Sequence, residues 1–427
     1  MEAKIEQILR EHAKEIITIG ETVLNTPELG YREEKTSEYI RKVFDELDIS
    51  YTYPHAITGI KAKLKGSKQG PNICIIGEMD AVKCAGHPNA GKLSAAHACG
   101  HNAQIAAMLG TALVLKKSGV MDELCGEVTF LAVPAEEFIE LEYRNQLKEE
   151  GKIKYFGGKQ QLIYEGVFDD VDIAMMIHAQ GQEEQAKMYV RGNNLGFVAK
   201  NIVFRGKAVH GSTPFDGVNA LNAAALSILG IHSNRETFRE EDKIRIHPII
   251  TKGGDVVNSV PDEVCVETYV RGATLGAIKK GERVVGCSVS GACQMIGATC
   301  EITTIPGYLP LTESIELSEV FESVSKEVLG EDNLVYGKPI TGSSDIGDLS
   351  HLIPTIQPSI GGFTGVLHST DFGVSDTSIA YLKAAEILAK TTVELLHNDA
   401  KKATQVKNSF QPKMTKAEYI SYLNGKD

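Results

Sequence analysis

The densest group of residues able to do chemistry is HACGHN, residues 97–102, which follows a loop rich in glycine and alanine and opens a helix. A thiol at Cys99 and an imidazole at His101 can face one point when the chain turns at a helix start. The positive end of that helix favours the thiolate, the form of cysteine that binds a metal. On its own such a pair reads as a buried thiol beside a capping histidine. A second group, Glu136 and Glu137 in VPAEE, follows the apolar run EVTFLAV. Ligands of an open α/β sheet bind beyond the carboxyl ends of its strands, and adjacent carboxylates there can point different ways, one onto a metal and the other onto a proton. His178 closes the run VDIAMMIH, His368 lies in a glycine-flanked loop after TIQPSIGGFTG, and Asp80 closes ICIIGEMD. Each of these, alone, is better read as structural. Together, several segments deliver metal-competent side chains to the mouth expected of one sheet, with Asp80 placed to orient an imidazole.

The elements that must position these residues follow from periodicity. From Pro71 the chain reads NICIIGEMDAV, then the helical pattern AQIAAMLGTALVLKKSG, then EVTFLAVPAEE and VDIAMMIHA. Short unbroken apolar runs alternating with helices signal a largely parallel sheet covered on both faces, the core of an α/β domain. Near Arg191 the pattern changes to strand KNIVFRGKAVH, helix GVNALNAAALSILGIHSNRETF, strands IRIHPIITKGG and EVCVETYVRG, helix GAIKKGERVVGCSVSGACQMIGA and strand TCEITTIPG. This βαββαβ order is the split-βαβ, ferredoxin-like arrangement. The α/β pattern then returns from Tyr308. The expected organisation is a catalytic domain formed by residues 1–191 and 308–427, with an inserted lid or dimerisation domain at 192–307. A charged segment at 138–166 reads as a helical surface elaboration, and the polar tail after His397 is expected to fray.

Composition narrows the function classes. Among 427 residues, 42% are apolar and 23% charged, which are ordinary globular proportions. Acidic residues outnumber basic ones 56 to 44, for a net charge of -12, and no basic block interleaves with aromatics. Nucleic acid is excluded as a partner on that ground. No apolar run approaches the roughly 18 residues of a membrane span, and the N-terminal stretch, with Ile5, Ile8, Leu9, Ile16 and Ile17 on one side, is an amphipathic helix and not a signal peptide. A cytoplasmic location is expected. The eight cysteines lack the density or paired spacing of a disulfide framework, and apart from Cys99 they read mostly as buried thiols.

The ordered set GEMDA, HACGHN, PAEE, a strand ending in histidine, VHGSTPFDGVNAL, VVNSVPDEV and a final glycine-rich loop with histidine resembles the dinuclear metallo-aminoacylase/carboxypeptidase superfamily. Its nearest branch holds hippurate hydrolases, plant auxin-conjugate hydrolases and bacterial aminobenzoyl-glutamate hydrolases. The resemblance runs from PELGYREEKTS to the last helix. It implies a homodimer or dimer-based oligomer and two divalent metal ions, zinc first, with manganese or cobalt as alternatives. Carried over position by position, it makes Cys99 the shared metal ligand, His101 and His178 ligands of one ion, and Glu137 and His368 ligands of the other. It also puts Glu136 at the general base, His210 at the histidine that reaches the substrate across a dimer interface, and Asn258 and Arg271 at the substrate carboxylate or carbonyl. The implied activity is hydrolysis of the amide bond of N-acyl or N-aroyl amino acids or small dipeptides, small-molecule substrates with a free carboxylate. Hydrolysis of a non-peptide C–N bond and a non-catalytic metal-binding scaffold are the alternative readings. The branch usually reads RADMDALP where this chain has IIGEMDAV, so an arginine is missing and Glu78 replaces an aspartate; Asn102 stands where many relatives have aspartate.

Overall fold

The run ICIIGE has no polar face to turn toward water. In the computed structural model, which describes residues 1–181, 187–337 and 342–425, it is the inner half of the strand Lys68–Glu78, buried from Asn72 to Glu78. Six strands pair in the order Tyr51–His55, Gly59–Lys65, Cys125–Val133, Lys68–Glu78, Ile173–Met175 and Thr355–Ile356. The last four run parallel and the first two antiparallel, giving the expected mixed, largely parallel sheet. A second, short sheet orders Leu334–Tyr336, Met188–Val190, Ser359–Ile360 and His178–Ala179. The helix His101–Ser118 is buried without a break from His101 to Leu115, because it packs on the strand Lys68–Glu78 and on the helices Ala13–Leu24 and Ala384–Ser409. A helix buried on every side shows no amphipathic stripe.

The chain divides into two compact units. One comprises Met1–Asn193, Thr312–Pro339 and Asp348–Ala417; the other comprises Asn194–Leu311, Ile340–Gly347 and Glu418–Asp427. The second unit is an antiparallel sheet ordered Arg245–Ile246, Glu263–Gly272, Gly196–Arg205 and Thr299–Pro306, with Ile249–Lys252 also paired to Glu263–Gly272. The helices Ala220–Ser233 and Leu275–Ile296 pack together and against this sheet, over a core that includes Ile202, Phe204, Ala224, Val264, Val285 and Val289. Thr299–Pro306 is its outer strand. The first strand stops at Arg205, short of the expected KAVH, because Lys207 turns away to pair with Val218; His210 lies beyond it on a single bridge to Ser259.

Two expectations fail in the first unit. The segment 138–166 is no surface elaboration: its helices Leu141–Glu149 and Gly158–Glu165 bury Arg144, Leu147, Lys159, Gln160, Gln161 and Leu162. Charged residues in a helical pattern normally mark a solvated face, but here Lys159 and Arg144 find buried acceptors. The tail does not fray at His397. The backbone leaves helical geometry from His397 to Ala400, yet the element runs to Ser409 and buries Ala403 and Val406.

Gly158 of this segment lies against the chain just past the strand Cys125–Val133, where an added Cβ would be 1.6 Å from the carbonyl oxygen of Pro134. Gly158→Ala should therefore lower stability by about 1–3 kcal/mol, the usual effect of forcing atoms into a filled core. A urea midpoint equal to that of the unaltered protein would show that this contact is not tight.

Candidate metal centre

The turn into the buried helix sets the site. Gly100 has φ +78 and caps the helix that starts at His101, and a Cβ on it would lie 2.4 Å from the Cβ of Ala179. Only glycine fits that left-handed, crowded position, and the turn puts Cys99 and His101 on either side of it. His178 arrives on the short strand beside Ala179, held by its backbone N–H to the carbonyl of Pro358 at 2.9 Å. His368 arrives on a loop whose backbone N–H donates to the carbonyl of Ala98 at 2.7 Å.

These elements converge on the Cys99 sulfur. Cys99 Sγ lies 3.6 Å from His178 Nε2 and 3.2 Å from His368 Nε2, and His368 Nε2 is also 3.2 Å from Glu137 Oε1. Cys99, His101 and His178 form one group of mutually close donor atoms; Cys99, Glu137 and His368 form a second that shares the sulfur. Glu136 is buried next to them, its Oε2 4.0 Å from His101 Nε2. The imidazole protonation states follow from backbone partners. His101 Nδ1 lies 2.8 Å from the carbonyl of Asp80, and His178 Nδ1 lies 2.8 Å from the carbonyl of Ala179. A carbonyl can only accept, so each Nδ1 carries a proton and each neutral ring offers a lone pair at Nε2. The orienting atom is thus the backbone oxygen of Asp80. Its carboxylate accepts from the backbone N–H of Glu137 at 2.9 Å and lies 3.5 Å from His101 Nδ1.

Lone pairs facing one another in a buried site repel unless a cation lies between them. Among the described residues His101 Nε2 is buried and faces acceptors, and Glu137 Oε1 meets the His368 ring, so the donors fit a bound cation. The spacings fit as well, since two nitrogen or oxygen donors on one tetrahedral zinc, at about 2.0–2.1 Å each, stand about 3.3 Å apart. Without a cation, protons take its place. Hydrogen bonds to the Cys99 sulfur and the Glu137 carboxylate hold the His368 proton up to about 11. Burial disfavours charge on His101, yet Glu78 and Cys99 raise it well above the ordinary range. Burial and the Glu137 charge push the Cys99 thiol up, but His178 and His101 pull harder and leave it at about 5.

Residues without a role in the sequence reading brace this centre. Arg144 donates to the carbonyls of Ala135 at 3.2 Å, Phe156 at 2.7 Å and Glu137, clamping the backbone that carries the two glutamates. Buried Glu33 accepts from the N–H of Ala135 at 2.8 Å, and burial raises its carboxyl to about 8. Lys159 pairs with Glu78. Asn102 donates to the carbonyl of Gly20 at 3.3 Å and to the Tyr381 hydroxyl at 3.0 Å, away from the donors. Cys84 donates to the carbonyl of His368 at 3.6 Å and so supports that loop. In the second unit, His210 and Asn258 are exposed. The backbone N–H of Ser212 donates to His210 Nδ1 at 3.1 Å, which leaves the ring proton on Nε2. Arg271 stands 5.2 Å over the Phe197 ring and 5.5 Å over that of Tyr269, and donates to Ser343 Oγ at 2.7 Å.

Known proteins share this architecture. Residues 193–283 match a family described as a peptidase dimerisation domain, M20 type. The thermostable carboxypeptidase 1 of Saccharolobus solfataricus is 28% identical over 80% of this chain and 84% of its own length. An IAA-amino acid hydrolase of Arabidopsis thaliana, ILR1-like 2, is 26% identical over 91% and 87%. Among solved structures, a putative aminohydrolase from methicillin-resistant Staphylococcus aureus superposes with a TM-score of 0.78 at 24% identity, over 92% of this chain and all of that one (100%). A dinuclear metal-binding M20 peptidase from Bacillus subtilis gives 0.73 at 23% identity, over 91% and 99%. The donor set and the relatives mark this chain as a metal-dependent hydrolase, and its fold is similar to that of dinuclear M20 peptidases. No described helix is long and apolar enough to cross a membrane.

Cation binding at neutral pH must displace the proton that His368 holds up to about 11, whereas Cys99, at about 5, is already a thiolate and releases none. Zinc binding at pH 7 should therefore release about one proton or more per chain, and affinity should rise with pH. Calorimetry in buffers of different ionisation heat measures that number. Binding without proton release would contradict the charge state assigned to the cluster.

Proposed function

We propose that the protein hydrolyses the amide bond of N-acyl or N-aroyl amino acids or small dipeptides. The observation that carries this reading is a thiolate shared by two donor groups with a further carboxylate, Glu136, buried beside them. A purely structural metal site has no use for that extra carboxylate. Cys99, His101 and His178 would hold one cation; Cys99, Glu137 and His368 the other. A shared thiolate suits zinc, with manganese or cobalt as alternatives. When bound, two such cations polarise a carbonyl oxygen and make water acidic near neutral pH. Glu136 takes the proton from the attacking water and returns it to the leaving nitrogen. Asp80 keeps the His101 ring and the Glu137 backbone in place, as its two hydrogen-bonded oxygens indicate.

The second unit supplies recognition. Among the described residues no carboxylate pairs with Arg271, although the guanidinium is half-buried between aromatic rings. A planar substrate carboxylate fits that guanidinium with two hydrogen bonds, and Asn258 adds an amide for the carboxylate or carbonyl. His210 presents its Nε2 proton to the developing oxyanion. The exposed side chains of Leu229 and Met295 on the two helices and of Ile302 on the outer strand Thr299–Pro306 support pairing of two copies through this unit, with His210 acting in the partner's site.

Glu136→Gln should keep both metals and lower kcat by about 10²–10⁴-fold on a responsive acyl-amino acid, found by screening acyl-amino acids and dipeptides with metal-loaded enzyme. Unchanged kcat would remove Glu136 as the base. For the across-subunit role, His210→Ala and Glu136→Ala are co-expressed. Each alone should be nearly inactive, and the mixed dimers should regain activity because one site in each has both residues intact. Mixed dimers, verified by mass, that stay as inactive as their parents would confine His210 to its own chain.

A further inference from the structure

We propose that Lys83 and Arg32, gathered by Glu140, form an anion subsite beside the metal centre, and that the enzyme selects substrates carrying a second carboxylate besides the one read by Arg271. This rests on the hydrolase reading above and deepens it by naming the substrate class. The three residues come from segments that one small apolar cluster ties together: Leu29, Ala81 and Ala95 are buried in it, and Ile139 packs against them. The backbone N–H of Arg32 donates to the carbonyl of Leu29 at 3.0 Å, Lys83 stands two residues after Ala81, and Glu140 directly follows Ile139. Two of these segments also bear residues of the metal centre. Asp80 precedes Ala81, and Glu137 lies three residues before Glu140. The short strand Val82–Lys83 pairs with Ala95–Ala96, which runs on toward Cys99, and Cys84, next to Lys83, donates to the carbonyl of His368. Val82 is buried, so Lys83, the next residue of the strand, points the other way and is exposed.

Glu140 Oε1 lies 3.1 Å from Lys83 Nζ and Oε2 lies 3.3 Å from Arg32 Nε, while the Arg32 guanidinium stands 3.6 Å over the Tyr143 ring. One carboxylate therefore holds two cations, and among the described residues neither cation pairs with a second carboxylate. The trio keeps a positive charge in a chain whose net charge is -12. Stability does not explain the arrangement. Glu140 stands at the N-cap of the helix Leu141–Glu149, yet its side chain caps no backbone N–H. Its φ of +54 is a left-handed conformation that opposes folding in a residue with a Cβ, and exposed ion pairs add little against that. Strain of this kind gathers where a ligand is held. The Glu140 carboxylate is only 13% exposed, whereas the Lys83 and Arg32 side chains are 52% and 38% exposed, so the cations and not the anion meet the solvent. Each cation has further donors beyond the one Glu140 engages, and these can hold an incoming carboxylate by charge-assisted hydrogen bonds. That carboxylate can sit on the side chain of the amino acid or at the far end of the acyl group.

The test compares kcat/KM within matched pairs of substrates, using the zinc-loaded full-length protein. N-acetyl-glutamate against N-acetyl-glutamine places the extra charge on the amino acid; the succinyl against the butanoyl derivative of one amino acid places it on the acyl tail. The unaltered enzyme should favour the charged member of one pair by about 10–100-fold, the range expected of hydrogen bonds to a charged group. The pair that shows the preference tells which end of the substrate reaches the subsite. Lys83→Met should lower that charged-to-neutral ratio by about tenfold, and Lys83→Arg should retain it. A general loss of structure lowers both members together and leaves the ratio unmoved, and in Lys83→Met the Glu140 carboxylate keeps Arg32 as its partner, which favours folding. Equal kcat/KM within both pairs, or a preference that survives intact in Lys83→Met and in the double variant Lys83→Met with Arg32→Met, would overturn the subsite and leave the hydrolase reading in place. No hydrolysis of any acyl-amino acid or dipeptide by the unaltered protein would overturn that reading, and this inference with it.

Discussion

The structure depends on one constraint: a buried sulfur with electron-pair donors on every side needs positive charge to exist. Cys99, Glu137, Glu78 and Glu136 bring buried anionic or acceptor groups together, and three imidazoles, His368 from the exposed rim, present Nε2 to them. Backbone carbonyls fix two of those imidazoles so that they cannot turn a proton toward the sulfur while neutral. The surrounding fold is best understood as the means of holding so unfavourable a cluster together until cations neutralise it.

Three layers do the holding. The parallel strands end together, so Glu78 and the Glu136–Glu137 pair leave the sheet at adjacent points. The helix behind them, buried from His101 to Leu115, gives Cys99 and His101 an anchor that cannot shift without disturbing the core. The 138–166 segment then clamps the loop from outside: Arg144 takes the carbonyls of Ala135 and Glu137, while Gly158 sits against Pro134. A left-handed Ala135, at φ +54, is tolerated in that loop because Arg144 and Glu33 hold its backbone from both sides. Local strain there is the cost of pointing two adjacent carboxylates in different directions.

Much of this was legible in the residues, and what was not has a common cause. Strand ends are visible as apolar runs that stop at a polar residue, so Asp80, Glu136 and Glu137 could be located without coordinates, whereas His178 does not end its run's strand, which stops at Met175, but opens a short strand of the second sheet. The small domain was visible as a change in period. Arg144 and Lys159 were hidden, because a charged residue on a helical repeat reads as solvated unless its partner is known, and the partner of Lys159 lies on a strand 81 residues away. Glu78 stood out only as a departure from RADMDALP, with nothing nearby to say what balanced it. The roles of backbone atoms were hidden too. A sequence suggests a carboxylate at Asp80 to orient His101, whereas the short contact is made by its carbonyl, which every residue type possesses.

The central claim is that two cations share the Cys99 thiolate, and X-ray absorption spectroscopy of the zinc-loaded protein tests it most directly. The account predicts a sulfur scatterer at about 2.3 Å for both zinc ions, together with a zinc–zinc distance of about 3.5–4 Å. Replacing Cys99 with serine should remove the sulfur contribution from both ions at once. Zinc shells built only from nitrogen and oxygen, or sulfur on one ion with no metal–metal scattering, would contradict it.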